Sequence, residues 1–255
     1  MAHKYLIDRL NMEWIYQIFS ILDYRMTIEE IVDLSKQEGV EFGKRRDVFN
    51  RLVDLGLLEK TKEEKIFCIE LTELGQRVKN IYIKNPQKIP MLLHMMHILK
   101  SFENEAPRYF STYYYTTKIT LEDKKSSKSQ YDKLVKLLEE RYPDEDHITG
   151  LDSTSIGKAN VFFNEVLDED YSYLSFVDPM IFAKGLQMYI GAKTGNPLGN
   201  VLITPQEKQE LSILFLVNPN QIESMIEKSN RYIRAFETRY STAGVVLNSI
   251  KKIEL

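Results

Sequence analysis

Apolar residues recur at helical spacing over most of the chain. Within residues 14–22 they return every three or four positions, which predicts a first helix. Residues 27–30 (Thr-Ile-Glu-Glu) form a capping box, in which the threonine oxygen accepts from a free helix amide and the second glutamate reaches back. This box predicts a second helix that ends near Gly39, and a third helix is predicted over about 43–56.

The pattern changes from helical to alternating after Gly56, where the third helix is predicted to stop. A charged stretch over residues 60–65 is followed by an alternating run over residues 66–71. Together they predict a β-hairpin with a polar tip. A further helix is predicted to begin at about Thr72 and to continue through Ile81.

Beyond residue 90 the helical pattern dominates. Helices are predicted over 91–102, 128–142, 155–167, 179–192, 205–217 and 219–237. The last two begin with Pro205 and Pro219, which follow the good N-cap residues Thr204 and Asn218. Residues 245–253 are predicted to form a closing strand, so the expected fold class is mainly α.

Pro86 and Pro90 mark the predicted domain boundary, because neither proline fits inside a continuing helix. We therefore predict an N-terminal domain over residues 1–88. The second domain, over residues 89–255, is predicted to be mostly helical and to serve dimerisation, effector sensing or docking.

The composition of the chain excludes several classes of protein. The chain has 255 residues, of which 43% are apolar and 28% charged, so it is neither disordered nor fibrous. The single cysteine, Cys68, excludes an internal disulfide framework and fits a reducing cytosol, so we expect a cytoplasmic protein. The longest apolar run, residues 213–217, is far shorter than the roughly 20 residues of a membrane helix, and no membrane association is expected.

The order of predicted elements, helix, helix, short turn, helix and hairpin, is that of a winged helix. Two of the features that match are the capped helix that begins at Thr27 and the basic helix over 44–53. The third is a pair of short sequences: Leu-Gly-Leu-Leu over 55–58, where the chain leaves the third helix, and Leu-Thr-x-x-Gly over 71–75, where the next helix begins. Over about residues 10–82 the chain resembles the winged helix-turn-helix superfamily, and bacterial regulators in particular. The resemblance implies three helices plus a β-hairpin and a domain that contacts DNA.

A recognition helix in the major groove presents long donors near its N-terminus, and a wing reaches the flanking backbone or minor groove. The candidate DNA-binding residues are Lys44, Arg45, Arg46, Asn50 and Arg51 in the helix and Lys60, Lys62 and Lys65 in the wing.

The charge of the first domain leaves a second possibility open. The formal net charge of the chain is −3, and residues 1–90 carry equal numbers of basic and acidic side chains. Glu59, Glu63 and Glu64 lie in the same wing as the lysines. A winged helix used only for protein contact is therefore the alternative, although DNA binding requires local rather than total positive charge.

Other chemical motifs are incomplete. Residues 152–159 resemble a phosphate-binding loop but lack its first glycine and its final hydroxyl. His94 and His97 have a metal-ligand spacing but lie in an apolar helix, and Glu122-Asp123-Lys124 lacks the acidic partner of a nuclease site. We therefore expect no catalytic group, no metal and no cofactor.

An aromatic cluster offers a further binding alternative. Tyr109, Phe110, Tyr113, Tyr114 and Tyr115, flanked by Arg108 and Lys118, have the composition of a surface that stacks on single-stranded bases. Packing or protein contact is the simpler expectation for such a cluster.

These observations predict a non-enzymatic DNA-binding protein of transcription-regulator type. Its expected partners are double-stranded DNA and either a second copy of the chain or another protein. The alternative is a non-catalytic subunit of a multi-protein assembly, for example a mobile-element or phage-defence system, whose winged helix contacts protein.

Overall fold

Helices with small antiparallel sheets make up the described part of the chain. The computed structural model describes residues 4–5, 11–42, 47–63, 66–122, 128–145, 148, 151, 156, 161–167 and 173–254. Its contacts divide the chain into two compact units: residues 7–90, and residues 91–255 with Lys4 and Tyr5 from the N-terminus.

The first unit alternates helices with short strands. Its elements are α1 (Met12–Ile21), β1 (Met26–Thr27), α2 (Ile28–Gln37), α3 (Asp47–Asp54), β2 (Leu58–Glu63), β3 (Ile66–Leu71) and α4 (Glu73–Lys84), followed by a 3₁₀ turn (Pro86–Lys88). All strand pairs are antiparallel, and β3 lies between β1 and β2. The helices and the hairpin predicted for this part of the sequence are confirmed in type and order, whereas positions 43–46 of the third predicted helix and 64–65 of the hairpin lie outside the described residues.

Local side-chain signals set the ends of these elements. Thr27 caps α2, and its hydroxyl and the Glu30 carboxylate form the complete capping box. Gly39 and Gly56 adopt positive φ angles of 85° and 72° after α2 and α3, a conformation that favours glycine. At the start of α4, Thr72 donates its hydroxyl to the carbonyl of Gly56 at 2.6 Å. This bond ties the exit of α3 to the entry of α4.

The core of the first unit draws on every helix and the central strand. The fully buried apolar residues include Ile15, Ile18 and Phe19 in α1, Leu22 after it, Ile31 in α2, Phe49 and Leu52 in α3, Leu57, and Ile69 in β3, and Val78 of α4 is also buried. The ring of Phe42 extends this core, since its centroid lies 5.5 Å from Phe49 and 6.0 Å from Trp14. The backbone of α4 packs directly on Leu57 at Gly75, where a Cβ atom would meet the Leu57 carbonyl.

The second unit is built from longer helices and a second sheet. Its elements are α5 (Ile89–Lys100), α6 (Arg108–Glu122), α7 (Lys128–Arg141), α8 (Val161–Val166), α9 (Pro179–Thr194), β4 (Asn200–Ile203), α10 (Pro205–Phe215), α11 (Ile222–Ile233), β5 (Phe236–Ser241) and β6 (Gly244–Ser249). A 3₁₀ turn (Pro219–Gln221) precedes α11. The predicted N-caps Thr204 and Asn218 are both confirmed.

The second unit departs from the predicted elements in its sheet. Only residues 245–253 were expected as a strand, whereas β6 pairs with both β4 and β5. The helix predicted over 219–237 ends at Ile233, because the amide group of Asn230 bonds both backbone groups of Phe236 and turns the chain into β5. Helix α6 had no counterpart among the predicted helices. The prediction for 155–167 falls largely outside the described residues, which include Ile156 and α8.

Buried aromatic rings fill the centre of the second unit. They include Phe110, Tyr113, Phe163, Phe182, Tyr189 and Phe215, and α5 is buried along almost its whole length. Tyr5 packs with Ile119, Leu134, Leu138 and Ile156 in a separate cluster. None of the helices in the described part of the chain combines the length and the apolar character needed to cross a membrane.

Candidate nucleic-acid interface

The β2–β3 hairpin presents its lysines on one face. Lys60 pairs across the ladder with Ile69, and Lys62 pairs with Phe67. Because directly opposed residues of antiparallel strands point to the same side, all four side chains share a face. Ile69 is fully buried at the base of this face, whereas Phe67 nearer the tip is 42% exposed. The face therefore runs from the core out to solvent, with Lys60 opposite Ile69 at its inner end and Lys62 opposite Phe67 nearer the tip.

An aromatic ring holds the two lysines together. The Lys60 ammonium lies 4.4 Å from the centroid of the Phe67 ring, and the Lys62 ammonium lies 5.7 Å from it. Both distances fall within the range of a cation–π interaction. The negative face of the ring offsets part of the repulsion between two neighbouring cations, so both charges are kept close together on the hairpin.

Helix α3 joins this face through a side-chain hydrogen bond. The Lys60 ammonium donates to the Asn50 side-chain oxygen at 3.1 Å. Asn50 is exposed on α3, so the bond connects the solvent side of the helix with the hairpin. We call Asn50, Lys60, Lys62 and Phe67 the hairpin surface. It unites three of the sequence-predicted residues, Asn50, Lys60 and Lys62.

Arg51 is mostly buried, unlike its sequence neighbour Asn50. Its side chain is only 12% exposed, and its guanidinium lies 3.9 Å from the Asp54 carboxylate. Most of the donor surface of Arg51 is therefore turned away from solvent, and the residue does not form part of the hairpin surface.

Four predicted positions lie outside the described residues. Lys44, Arg45 and Arg46 precede α3 directly in the sequence, and Lys65 comes between β2 and β3 in the sequence.

The opposite face of the hairpin contains a cation that sequence analysis did not single out. Arg25, just before β1, donates from its guanidinium to the Thr61 hydroxyl at 2.5 Å. Thr61 alternates with Lys60 and Lys62 along β2, so this guanidinium lies on the other side of the strand. Arg25 is 36 residues from Thr61 in the sequence, and only the pairing of β1 with β3 brings the two together.

Acidic residues lie close to these cations. Glu59 pairs with Glu70 across the ladder, near the base of the hairpin. Glu59 is exposed and Glu70 is half-buried. Among the described residues of the hairpin, Glu59 and Glu70 therefore place negative charge next to Lys60.

The two histidines with metal-ligand spacing are engaged in hydrogen bonds within the core. The two ring nitrogens of His94 lie 2.7 Å from the Tyr113 hydroxyl and 2.9 Å from the carbonyl oxygen of Ile213. His97 Nδ1 is 2.8 Å from the carbonyl oxygen of Leu93. Within the described ranges, no group of three or more His, Cys, Asp or Glu side chains has an arrangement that could hold a metal ion. Asp123, Lys124 and all but Ile156 of the 152–159 loop lie outside those ranges.

The aromatic cluster of α6 divides between core and surface. Tyr109, Phe110 and Tyr113 are buried, whereas Tyr114 and Tyr115 are half-buried. Arg108 lies over the Tyr142 ring, 3.9 Å from its centroid, and donates to Glu145 at 3.1 Å. The cluster as a whole is therefore not a stacking surface, although Tyr114, Tyr115 and Lys118 border a common cleft.

Comparison of the chain with protein-family models, with curated proteins and with solved structures gave no match.

Proposed function

We propose that the first unit binds duplex DNA, with α3 and the β2–β3 hairpin arranged as the recognition helix and wing of a winged helix. The order of elements supports this proposal: α1, β1, α2, α3, β2, β3, with β3 between β1 and β2. A winged helix uses the same order, because the hairpin must lie beside the helix that enters the major groove. The wider role we propose is that of a transcription-regulator type of protein.

The observation that carries the proposal is the bond between Lys60 and Asn50. It gives the helix and the hairpin one continuous polar surface. Asparagine can bond the edge of an adenine in the major groove, whereas lysines bind phosphate oxygens. On this proposal Asn50 contacts bases and Lys60 and Lys62 contact the backbone of the flanking nucleotides.

The proposed contacts predict how salt affects binding. Each lysine that neutralises a phosphate releases condensed counterions, and the slope of log K against log salt becomes steeper by about 0.9 for each contact. Removal of Lys60 and Lys62 should therefore flatten the slope by roughly 2, because two contacts are lost.

The test is fluorescence anisotropy of a labelled random-sequence duplex at several salt concentrations. The variant is Lys60→Gln with Lys62→Gln, which removes two charges but keeps the length of both side chains. The matched control is Lys36→Gln with Lys84→Gln, because these lysines are exposed in the last turns of α2 and α4, outside the hairpin surface. We expect weaker binding and a flatter slope for the first variant only. Equal binding by the two variants would refute the proposal.

A second candidate function is favoured by the apolar part of the hairpin tip. Ile66 is 53% exposed and Phe67 is 42% exposed, and as consecutive residues of β3 they lie on opposite faces of the hairpin. Exposed apolar side chains on both faces of the tip suit a protein partner better than a phosphate backbone. The chain would then be a non-catalytic subunit of a multi-protein assembly, for example a mobile-element or phage-defence system. That alternative predicts no duplex binding even at low salt, and loss of partner co-purification on Phe67→Ser.

A further inference from the structure

A cleft of about 670 Å³ opens in the second unit, between two helices that present matching sets of side chains. From α6 it is lined by Ser111, Tyr114, Tyr115 and Lys118, and from α10 by Gln206, Gln209, Glu210 and Ile213. Both sets follow the spacing i, i+3, i+4 and i+7, which places each set on one side of its helix. The volume lies within the range of pockets that bind cofactor-sized molecules.

Aromatic rings form one wall of the cleft. The Tyr114 ring lies 5.2 Å from Tyr115 and 5.8 Å from Phe102 between ring centroids, and both pairs meet edge to face. Burial raises the pKa of the Tyr114 hydroxyl, so this side chain stays neutral at any physiological pH. The rings give the cleft a broad apolar surface against which a planar group can pack.

Two cations, Lys118 and Arg141, lie at the edge of this wall. Lys118 follows Tyr115 by three residues, about one turn of α6, and Arg141 reaches the cleft from the end of α7. Across the described residues, the structure assigns neither of them an ion pair with a carboxylate. The neighbouring Glu140 carboxylate lies 3.9 Å from Lys136, which does not line the cleft.

The carboxylate that lines the cleft is already neutralised. Glu210 accepts a hydrogen bond from the Tyr189 hydroxyl at 2.7 Å and lies 2.7 Å from the Lys193 ammonium. Lys193 also lies 5.0 Å from the centroid of Phe102. The charges of Lys193 and Glu210 therefore cancel, and Lys118 and Arg141 leave the described lining with an excess of positive charge.

We propose that this cleft binds a nucleotide unit, in which a planar base is joined to a phosphate. The rings of Tyr114 and Tyr115 pack against the base, since every base presents a π-face. Lys118 and Arg141 bind the phosphate, and an arginine guanidinium suits two phosphate oxygens at once. Gln206 and Gln209 supply the amide donors and acceptors that hydrogen-bond base edges or sugar hydroxyls. The site lies within the second unit and does not depend on the proposed DNA contact of the first.

A ligand that joins a base to a phosphate can be either a free nucleotide or a nucleotide within a single strand of nucleic acid. Isothermal titration calorimetry of the full chain separates them, with the four ribonucleoside monophosphates in one arm and a ten-nucleotide oligothymidine in the other. Adenosine and inorganic phosphate serve as probes that each lack half of the ligand. We expect saturable binding at one site by at least one nucleotide probe, and weaker binding of adenosine and of phosphate.

Charge-removing variants test the assignment of residues. Lys118→Gln with Arg141→Gln should weaken the binding nucleotide probe by about tenfold or more, because each charge-assisted hydrogen bond to phosphate is lost. Lys136→Gln is the matched control, since Lys136 is exposed on the same helix as Arg141 and lies outside the cleft. Tyr115→Leu keeps apolar bulk and removes the ring, and we expect about a tenfold loss from it as well.

The proposal is overturned if no nucleotide probe binds, or if the lysine–arginine variant binds as tightly as the Lys136→Gln control. Circular dichroism and the melting temperature of each variant establish that the chain is folded. The Lys60→Gln and Lys62→Gln variant keeps the two proposals apart, because it should weaken duplex binding and retain nucleotide binding in the cleft.

Discussion

Acidification from pH 7 to pH 5 should destabilise the protein through His94, which is fully buried in α5. The Ile213 carbonyl can only accept, so His94 Nε2 carries the proton and donates to it at 2.9 Å. His94 Nδ1 then accepts from the Tyr113 hydroxyl at 2.7 Å. Both ring nitrogens are satisfied in this neutral tautomer. A second proton would place a charge in the core, far from water.

The pKa of His94 sets the size of the effect. Burial lowers this pKa from 6.5 to about 4, although the hydrogen bond to Ile213 partly opposes the shift. Between these values the unfolded chain takes up a proton that the folded chain does not, so stability is complete above pH 6.5 and is lost as the pH falls towards 4. At about 1.4 kcal/mol per unit of pKa, the free energy of unfolding should fall by roughly 2 kcal/mol between pH 7 and pH 5.

Urea unfolding at both pH values, followed by far-ultraviolet circular dichroism at constant ionic strength, measures this change. The comparison is with His94→Gln, which keeps an amide donor and acceptor but does not titrate. Its lower stability at pH 7 does not matter, because only the change between the two pH values is compared. Carboxylates titrate equally in both proteins and cancel. If His94→Gln loses as much stability on acidification as the wild type, buried His94 is not the cause.

Two further predictions concern local backbone geometry. Gly75→Ala should lower the free energy of unfolding by about 2 kcal/mol or more, because its Cβ would lie 2.0 Å from the Leu57 carbonyl oxygen, a backbone atom. Gly39→Ala adds a Cβ that meets open space, so it should lower the free energy of unfolding by about 1 kcal/mol through the positive φ angle alone. Thr204→Ala removes the capping box with Glu207 at the start of α10 and should cost about 1 kcal/mol. Melting temperatures measure all three, and a Gly75→Ala protein as stable as Gly39→Ala would contradict the packing argument.

The elements that could be predicted are those whose signals are local. The capping boxes at Thr27 and Thr204 each lie within four residues, and Gly56 ends α3 through its own φ angle. Such signals do not depend on which elements pack together. For the same reason the hairpin was predictable, since its two strands adjoin in the sequence and pair residue by residue.

Helix α6 could not be predicted because its surroundings are unusual for a helix. Most of its residues are buried, so no regular alternation of apolar and polar sides marks it. It is also rich in threonine, whose branched side chain disfavours helices in isolation. In the folded chain Thr117 and Thr120 donate their hydroxyls to carbonyls one turn earlier, at 2.8 and 2.9 Å. These bonds satisfy the buried hydroxyls, but they exist only once the helix has formed.

The second sheet depends on contacts between distant residues. Among the described strands, β4 pairs with β6 alone, more than forty positions later, and β5 follows α11 without a turn signal that sequence analysis recognised. Asn230 holds the boundary between α11 and β5 by bonding Phe236. An asparagine in the last turn of a helix is ordinary in a sequence, and its role becomes specific only when the strand it bonds is in place.

The different placements of Asn50 and Arg51 could have been predicted from the period of the helix. Residues advance by about 100° around an α-helix, and Val48, Phe49 and Leu52 define the buried side of α3. Asn50 then lies roughly 150° from the centre of that side, and Arg51 only about 100° from it. Basic character alone treats the two positions alike, whereas the helical period directs Asn50 to solvent and Arg51 to the flank, beside Asp54.

The tyrosine-lined cleft could not be predicted from sequence patterns alone. The spacing of Ser111, Tyr114 and Tyr115 on α6 was visible in the sequence, and so was the same spacing of Gln206, Gln209 and Glu210 on α10. Each pattern alone describes an ordinary polar stripe. Only the packing of α6 against α10, about ninety residues later, places the stripes face to face, and the packing of α9 against α10 lets Lys193 neutralise Glu210. The excess positive charge of the cleft is therefore a property of the tertiary structure, and it is this property that selects a phosphate-bearing ligand.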